Sequence, residues 1–288
     1  MAEDALERRI ASFVAETKAP YSVTGTADIC LGTCIGAVRE QNQDRALITF
    51  ASYPTAPEKS FALGIVCDGM GGLVRGEEAA VIAVSVFASR VIQWPSQPIP
   101  DRLRWAALAA NQAVYTSLDG RGGATLSAVM VGLQGVPVGV NAGDSRIYGL
   151  TRSREVKQLS RDDNVAELLG QPGGFGANQL LQFVGMGDGI KPRIIDADRN
   201  EFDSILITSD GVHCASPATF AQVVRAPTDN HELVRRLLAL NDALGGHDNG
   251  TALVLPTRFA APNGDSERGL NLIFWSPSDR LEIWIPAL

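Results

Sequence analysis

The chain has 288 residues, 45% hydrophobic and 20% charged, with a formal net charge of −7. That composition supplies one large core or two small ones, and its acidic balance argues against nonspecific nucleic-acid binding, which needs clustered lysine and arginine. The N-terminal MAEDALERRI has no apolar signal core, and the longest apolar stretch, Ala79 to Ala88, is too short to span a bilayer. A cytoplasmic chain without a membrane partner is expected. Cys30, Cys34, Cys67 and Cys214 form no Cys-x-x-Cys pair and read as reduced thiols. The scattered His213, His231 and His247 disfavour zinc.

In chain order, the hydrophobic pattern predicts an amphipathic helix over Ala5–Thr17, then strands over Ala27–Ile35, Arg45–Phe50 and Ser60–Cys67. A helix follows over Gly76–Trp94, and another over Asp101–Leu118 with Asp101 as N-cap. Ala124–Leu133, Val136–Ala142 and Arg146–Leu150 are closely spaced β-rich runs and predict an antiparallel meander. Leu159–Gly187 is rich in glycine and loop-like. A strand at Ile205–Thr208, helices at Pro217–Arg225 and His231–Leu244, and a strand at Thr251–Leu255 complete the middle of the chain. Leu270–Leu288 alternates enough for two short strands, with Trp275 and Trp284 in them. Strands and helices come in blocks rather than in βαβ alternation, which favours antiparallel sheets with helices packed outside.

Five aspartates lie beside predicted strands: Asp44, Asp68, Asp144, Asp210 and Asp248, most with glycine adjacent. A single strand-end aspartate is usually a turn residue; the repetition points to chemistry. Clustered carboxylates repel unless a cation neutralises them, and Mg²⁺ or Mn²⁺ takes oxygen ligands. Glycine beside such a ligand exposes its own carbonyl and leaves room for substrate. The glycines of DGMGGLVRG offer a second reading, a phosphate cradle. However, the segment lacks the P-loop lysine, and no Gly-x-Gly-x-x-Gly opens a helix after a first strand.

GAVREQNQD, VCDGMGG, GGATLSAVMV, VNAGDSRIYGL, ITSDGV and HDNGTALVL occur in this order. Together they resemble the metal-dependent Ser/Thr protein phosphatases of type 2C, the PPM family, in its bacterial style. The resemblance covers roughly Ile29 to Leu255. It implies an α+β fold, a four-layer αββα sandwich with two central antiparallel sheets. With the alternating tail, it gives a domain plan: an N-terminal extension over 1–26, a catalytic domain over 27–256 and, beyond the resemblance, a C-terminal extension over 257–288 expected to form a β-hairpin. By the same resemblance Asp68 bridges two Mn²⁺ or Mg²⁺ ions, the Gly69 carbonyl binds one, and Asp210 and Asp248 ligate the other. Asp44 holds metal-bound water, Asp144 with Asp210 forms a third site, and Arg39 binds the substrate phosphate. The implied activity is hydrolysis of phosphoserine and phosphothreonine by a hydroxide bridging the two metals, on a phosphoprotein partner and opposing a Ser/Thr kinase, by a monomer. Gly170–Gly189 corresponds to the family's flap.

Three positions depart from the family pattern. Gln43 stands where many members have glutamate, Met70 where the animal enzymes have a histidine proposed as acid, and Cys214 where they have an aspartate. With the tail hairpin, the Gln43 and Cys214 departures support a second reading, a phosphatase-like protein that binds a kinase or phosphoprotein with little turnover. Thr125 and Ser127 are expected to pack in a strand, Arg146 to pair within the core, Arg75 to begin a helix in solvent, and His247 to hydrogen-bond its loop.

Overall fold

A computed structural model describes residues 2–16, 20–70, 75–133, 135–171, 174–177, 179–198, 200–258 and 269–286. Its elements run α1 (Ala2–Ala15), β1 (Tyr21–Gly25), β2 (Cys30–Cys34), β3 (Arg45–Ser52), β4 (Phe61–Cys67), α2 (Gly76–Gln93) and α3 (Ile99–Ser117). Then come β5 (Leu126–Gly132), β6 (Val138–Ala142), β7 (Arg146–Leu150), β8 (Val156–Gln158), α4 (Val165–Leu168) and β9 (Arg193–Asp196). The chain continues through β10 (Ser204–Thr208), α5 (Pro217–Arg225), α6 (Asn230–Ala243), β11 (Gly250–Pro256), β12 (Leu270–Trp275) and β13 (Arg280–Ile285).

Alternation along the strands explains the layers. In β4, Phe61, Leu63, Ile65 and Cys67 face one way, into a cluster with Ala83, Phe87 and Leu103 of α2 and α3. Ala62 and Val66 face the other way and meet Ile207 and Leu253 of β10 and β11. Ala252 and Val254 of β11 turn outward onto Leu233 and Leu237 of α6. Side chains two residues apart share a face of a strand, so both sheets are buried on both faces. One sheet has the order β1-β2-β11-β10-β7-β8 and the other β13-β12-β3-β4-β5-β6-β9. The fold is a four-layer α+β sandwich: α1–α3, the seven-stranded sheet, the six-stranded sheet, then α5 and α6. Among the described residues all strand pairings are antiparallel.

The predicted meander is broken. β5 pairs with β6, but β7 leaves for the other sheet and lies between β10 and β8. The crossing occurs at Gly143, whose φ of +116° and lack of a Cβ let it press against Thr125. Asp101 is not a cap: Pro98 holds that position without a side-chain bond, and Asp101 lies in the first turn of α3 beside Arg104. β1, β8 and β9 were not expected. Each is short and lies at the outer edge of a sheet, where the partner strand imposes the extended form more than the residues do. β1 pairs with β2, α1 packs on α2, and β12 extends the seven-stranded sheet from β3. The four cysteines are free thiols. Among the described residues no helix is long and apolar enough to cross a membrane.

Candidate metal centre

In an antiparallel pair the end of one strand lies beside the start of its neighbour. That rule gathers the five aspartates. Asp68 follows β4 and Asp44 precedes β3, where Arg45 pairs with Cys67. Asp210 lies just beyond β10 and Asp248 just before β11, where Thr208 pairs with Ala252. Asp144 occupies the crossing between β6 and β7, where Arg146 pairs with Thr208. All five therefore stand at one end of the sandwich.

Each is fixed by its surroundings. The Asp68 N–H donates to Thr125 Oγ1 at 2.9 Å, and its carbonyl accepts the Thr125 N–H at 2.8 Å. The Gly69 N–H donates to the Gln43 carbonyl at 3.2 Å. Ser209 Oγ donates to Asp44 Oδ2 at 2.7 Å. Asp248 Oδ1 accepts the Asn249 N–H at 2.8 Å, and Oδ2 accepts Arg39 Nη2 at 2.6 Å. Arg39 is thus brought to the carboxylates by its ion pair with Asp248. Asp44 Oδ1 and Asp210 Oδ1 are buried and have no hydrogen-bond partner.

The electrostatics follow from this crowding. Burial, then the field of Asp210, pushes the Asp44 carboxyl up to about 7, against the opposing pull of Thr251 and Ser209. Burial, then Asp210 and Asp162, pushes Asp144 up to about 7. Burial, then Asp248, raises Asp210 to about 6. Asp68 is raised well above the carboxylate range by burial, then by Asp44, Asp210, Asp144 and Asp248. The Asp248 hydrogen bond holds Arg39 above its ordinary value. Such a cluster calls for positive charge. An all-oxygen donor set with two orphaned buried oxygens suits a hard divalent ion. Among the described residues no three acidic, histidine or cysteine side chains are arranged to hold an ion as they stand; Asp248 is turned to Arg39 instead.

Two clefts open onto this end and meet at Asp210. One, of about 420 Å³, is lined by Asp248, His247, Asn241 and Cys214. The other, of about 390 Å³, has Asp144, Asp162 and Cys214 in its wall. Cys214 therefore lines both clefts with Asp210 and shares the second with Asp144.

No family model matches the chain. Serine/threonine protein phosphatase PstP of Mycobacterium tuberculosis is 28% identical over 235 residues, which cover 76% of this chain and 43% of PstP. The chain thus spans less than half the length of that relative. Serine/threonine phosphatase stp of Listeria monocytogenes is 24% identical over 242 residues, covering 76% of this chain and 92% of stp. The structure of the PPM Ser-Thr phosphatase MsPP from Mycobacterium smegmatis, solved in complex with cacodylate, superposes with a TM-score of 0.65 at 28% identity. That match covers 82% of this chain and all of MsPP (100%). In sequence and in fold the chain is similar to bacterial PPM Ser/Thr phosphatases.

Around this carboxylate cluster the structure adds residues that sequence reasoning passed over. Asn249 is the foremost. Its Oδ1 accepts the Gln43 N–H at 2.8 Å, and its Nδ2 donates to the Ile35 and Gln41 carbonyls at 2.8 and 3.0 Å. One buried side chain thereby ties the Arg39 segment to the Asp248 turn. Ser209 likewise braces Asp44 while accepting the Thr251 N–H at 2.9 Å. The signal was present, since Ser209 and Asn249 each adjoin a candidate aspartate in TSDG and HDNG. Thr125 and Ser127 do more than pack. Thr125 Oγ1 shares a 2.7 Å hydrogen bond with Ser145 Oγ, and Ser127 Oγ donates to Asn141 Oδ1 and the Ser145 carbonyl. This polar network joins the backbone of Asp68 to the residue after Asp144. Arg146 forms a two-pronged ion pair with Asp162 (Nε–Oδ1 2.9 Å, Nη2–Oδ2 2.8 Å). Arg75 precedes α2 and pairs with Glu78 at the surface. Exposed His247 lines the cleft beside Asp248. The Met70 N–H donates to the Gly123 carbonyl at 3.0 Å. Gly71 and Gly72 lie outside the described residues.

Proposed function

We propose that the chain is a metal-dependent protein phosphatase that hydrolyses phosphoserine and phosphothreonine in proteins. The observation that carries this reading is the pair of orphaned carboxylate oxygens, Asp44 Oδ1 and Asp210 Oδ1, in the same cluster as the Arg39 guanidinium. The names of the PPM relatives support the substrate class. Asp68, the Gly69 carbonyl, Asp210 and Asp248 are the residues to hold two Mn²⁺ or Mg²⁺ ions, with Asp44 alongside and Asp144 with Asp210 for a third. Divalent ions bound there supply Lewis-acid polarisation of the phosphoryl group and a lowered pKa for the attacking water.

The chain's own side chains do the rest. Arg39 offers a planar fork that can hold two phosphoryl oxygens and offset charge developing on them. Ser209 keeps one Asp44 oxygen engaged, so the other is the free acceptor. Asn249 fixes the distance between the Arg39 segment and the Asp248 turn. The setting we assign is cytoplasmic, as a monomer that opposes a Ser/Thr kinase.

The test is phosphate release from a phosphothreonine peptide with Mn²⁺ and then with chelator. Chelator should abolish it, and Asp210→Ala should lower kcat by about a thousandfold or more, the scale of losing a main charge-stabilising group. Ion binding without turnover in the wild-type chain would instead support a phosphoprotein-binding role.

A further inference from the structure

We infer that Arg39 is an internal competitor for the cation site: its guanidinium occupies the Asp248 oxygen that an ion would need, and cation binding displaces it. The inference rests on the metal-dependent reading above. Three observations carry it. First, the carboxylates are not equally free. Asp44 and Asp210 each keep a buried oxygen without a partner, whereas both oxygens of Asp248 are engaged, Oδ1 by the Asn249 N–H and Oδ2 by Arg39. An ion that approaches Asp248 through Oδ2 meets the positive Arg39 guanidinium already bonded there, 2.6 Å from that oxygen.

Second, Arg39 already does part of a cation's work. It faces Asp248 at 2.6 Å and feels the fields of Asp210 and Asp68, so it offsets the same negative cluster. Third, the side chain can leave while its backbone stays. The Ala37 and Val38 N–H groups donate to the Gly246 carbonyl, and Asn249 holds the Gln41 carbonyl and the Gln43 N–H. The guanidinium itself is 38% exposed and its partner carboxylate 35%. Exchange at Asp248 therefore needs a side-chain rotation and no movement of the loop.

The consequence is a linkage between two ligands. A cation on Asp248 frees the Arg39 fork for an oxyanion, and an oxyanion on Arg39 frees Asp248 for a cation. A half-exposed ion pair is a weak competitor, so its removal should strengthen ion binding by about fivefold at most.

The experiment is calorimetric titration of the chelator-stripped full chain with Mn²⁺, for wild type, Arg39→Ala, Arg39→Gln and Arg75→Ala. Arg75 serves as the control for loss of one nearby positive charge, because it pairs with Glu78 rather than with the cluster. Arg39→Ala and Arg39→Gln should bind Mn²⁺ about three- to fivefold more tightly, and Arg75→Ala should stay within about twofold of wild type. Equal or weaker binding in the Arg39 variants overturns the inference, as does equal tightening in Arg75→Ala. If the wild-type chain takes up no Mn²⁺, the metal-dependent reading falls and takes the inference with it. If it binds Mn²⁺ and the Arg39 variants do not tighten, the inference falls alone.

Discussion

The segment 36–43, which carries Arg39, is stitched down along its length, whereas the segment 161–191 on the other side of the carboxylates is held at its base. In the first, Gly36 has a φ of +79° and runs so close to the Asp248 carbonyl that a Cβ would lie 2.5 Å from it. Asn249 and Gly246 hold the following backbone. In the second, buried Asp163 accepts from the Gly143 N–H, from Gln182 Nε2 and from Arg193 at 2.6 Å. Val184 exchanges two backbone hydrogen bonds with Ala124. Beyond that base, Leu168 and Phe175 are 68% and 77% exposed. The difference separates two tasks. Placing a guanidinium against a carboxylate needs a fixed backbone, while an exposed surface away from the carboxylates can vary without cost to the core.

The sharpest way to break this comparison is at Asn249. Asn249→Ala removes three side-chain hydrogen bonds that hold the 35–43 backbone. Buried groups left without partners cost about 1–3 kcal/mol each, partly recovered by water. We expect a loss on the order of 3 kcal/mol in a urea melt, with a KM for the phosphopeptide raised more than kcat is lowered. A variant as stable as wild type would show that the segment is held by something other than Asn249.

The carboxylates between the two segments give the next effect, and its sign follows from linkage. Burial pushes the Asp44 and Asp144 carboxyls up to about 7 and the Asp210 carboxyl up to about 6. An unfolded aspartate titrates near about 3.9. The fold therefore keeps protons that the unfolded chain has already lost. Their contribution to stability is fully present below about pH 4 and is lost as pH rises through about 6 to 7. The melting temperature of metal-free protein should fall by several degrees across that window, and Mn²⁺ should flatten the slope. Melts in chelator that rise from pH 5 to pH 7 would contradict the folded-state values.

Much of this was legible beforehand because it is written in local pattern. The apolar run Phe61–Cys67 ending on Asp68 marks a strand, and the same device at Asp210 marks another. Antiparallel pairing then brings such ends together without further information. What was not legible depends on partners far apart in sequence. Arg146–Leu150 has the alternation of any strand, and nothing in it says that its neighbours are β8 and β10 rather than β6. Thr125 looks like a packed β-branched residue until Asp68 and Ser145 are placed beside it. The same holds for Arg39, whose match to a phosphate-binding position gives no hint that its guanidinium rests on Asp248.

The smallest expected effect lies at the tip of segment 161–191. Phe175 is 77% exposed, so its ring adds little to the folded state. Substitutions away from packed or hydrogen-bonded features usually change stability by no more than about 0.5 kcal/mol. Phe175→Ser should therefore melt with wild type and release phosphate from a small aryl phosphate at the wild-type rate. A loss confined to a phosphoprotein substrate would place the tip in contact with that protein, because the aryl ester presents no polypeptide to it. A loss on both substrates, or a melt lowered by more than about 1 kcal/mol, would mean that the tip is tied to the carboxylates as firmly as the segment carrying Arg39, and the contrast between the two would fail.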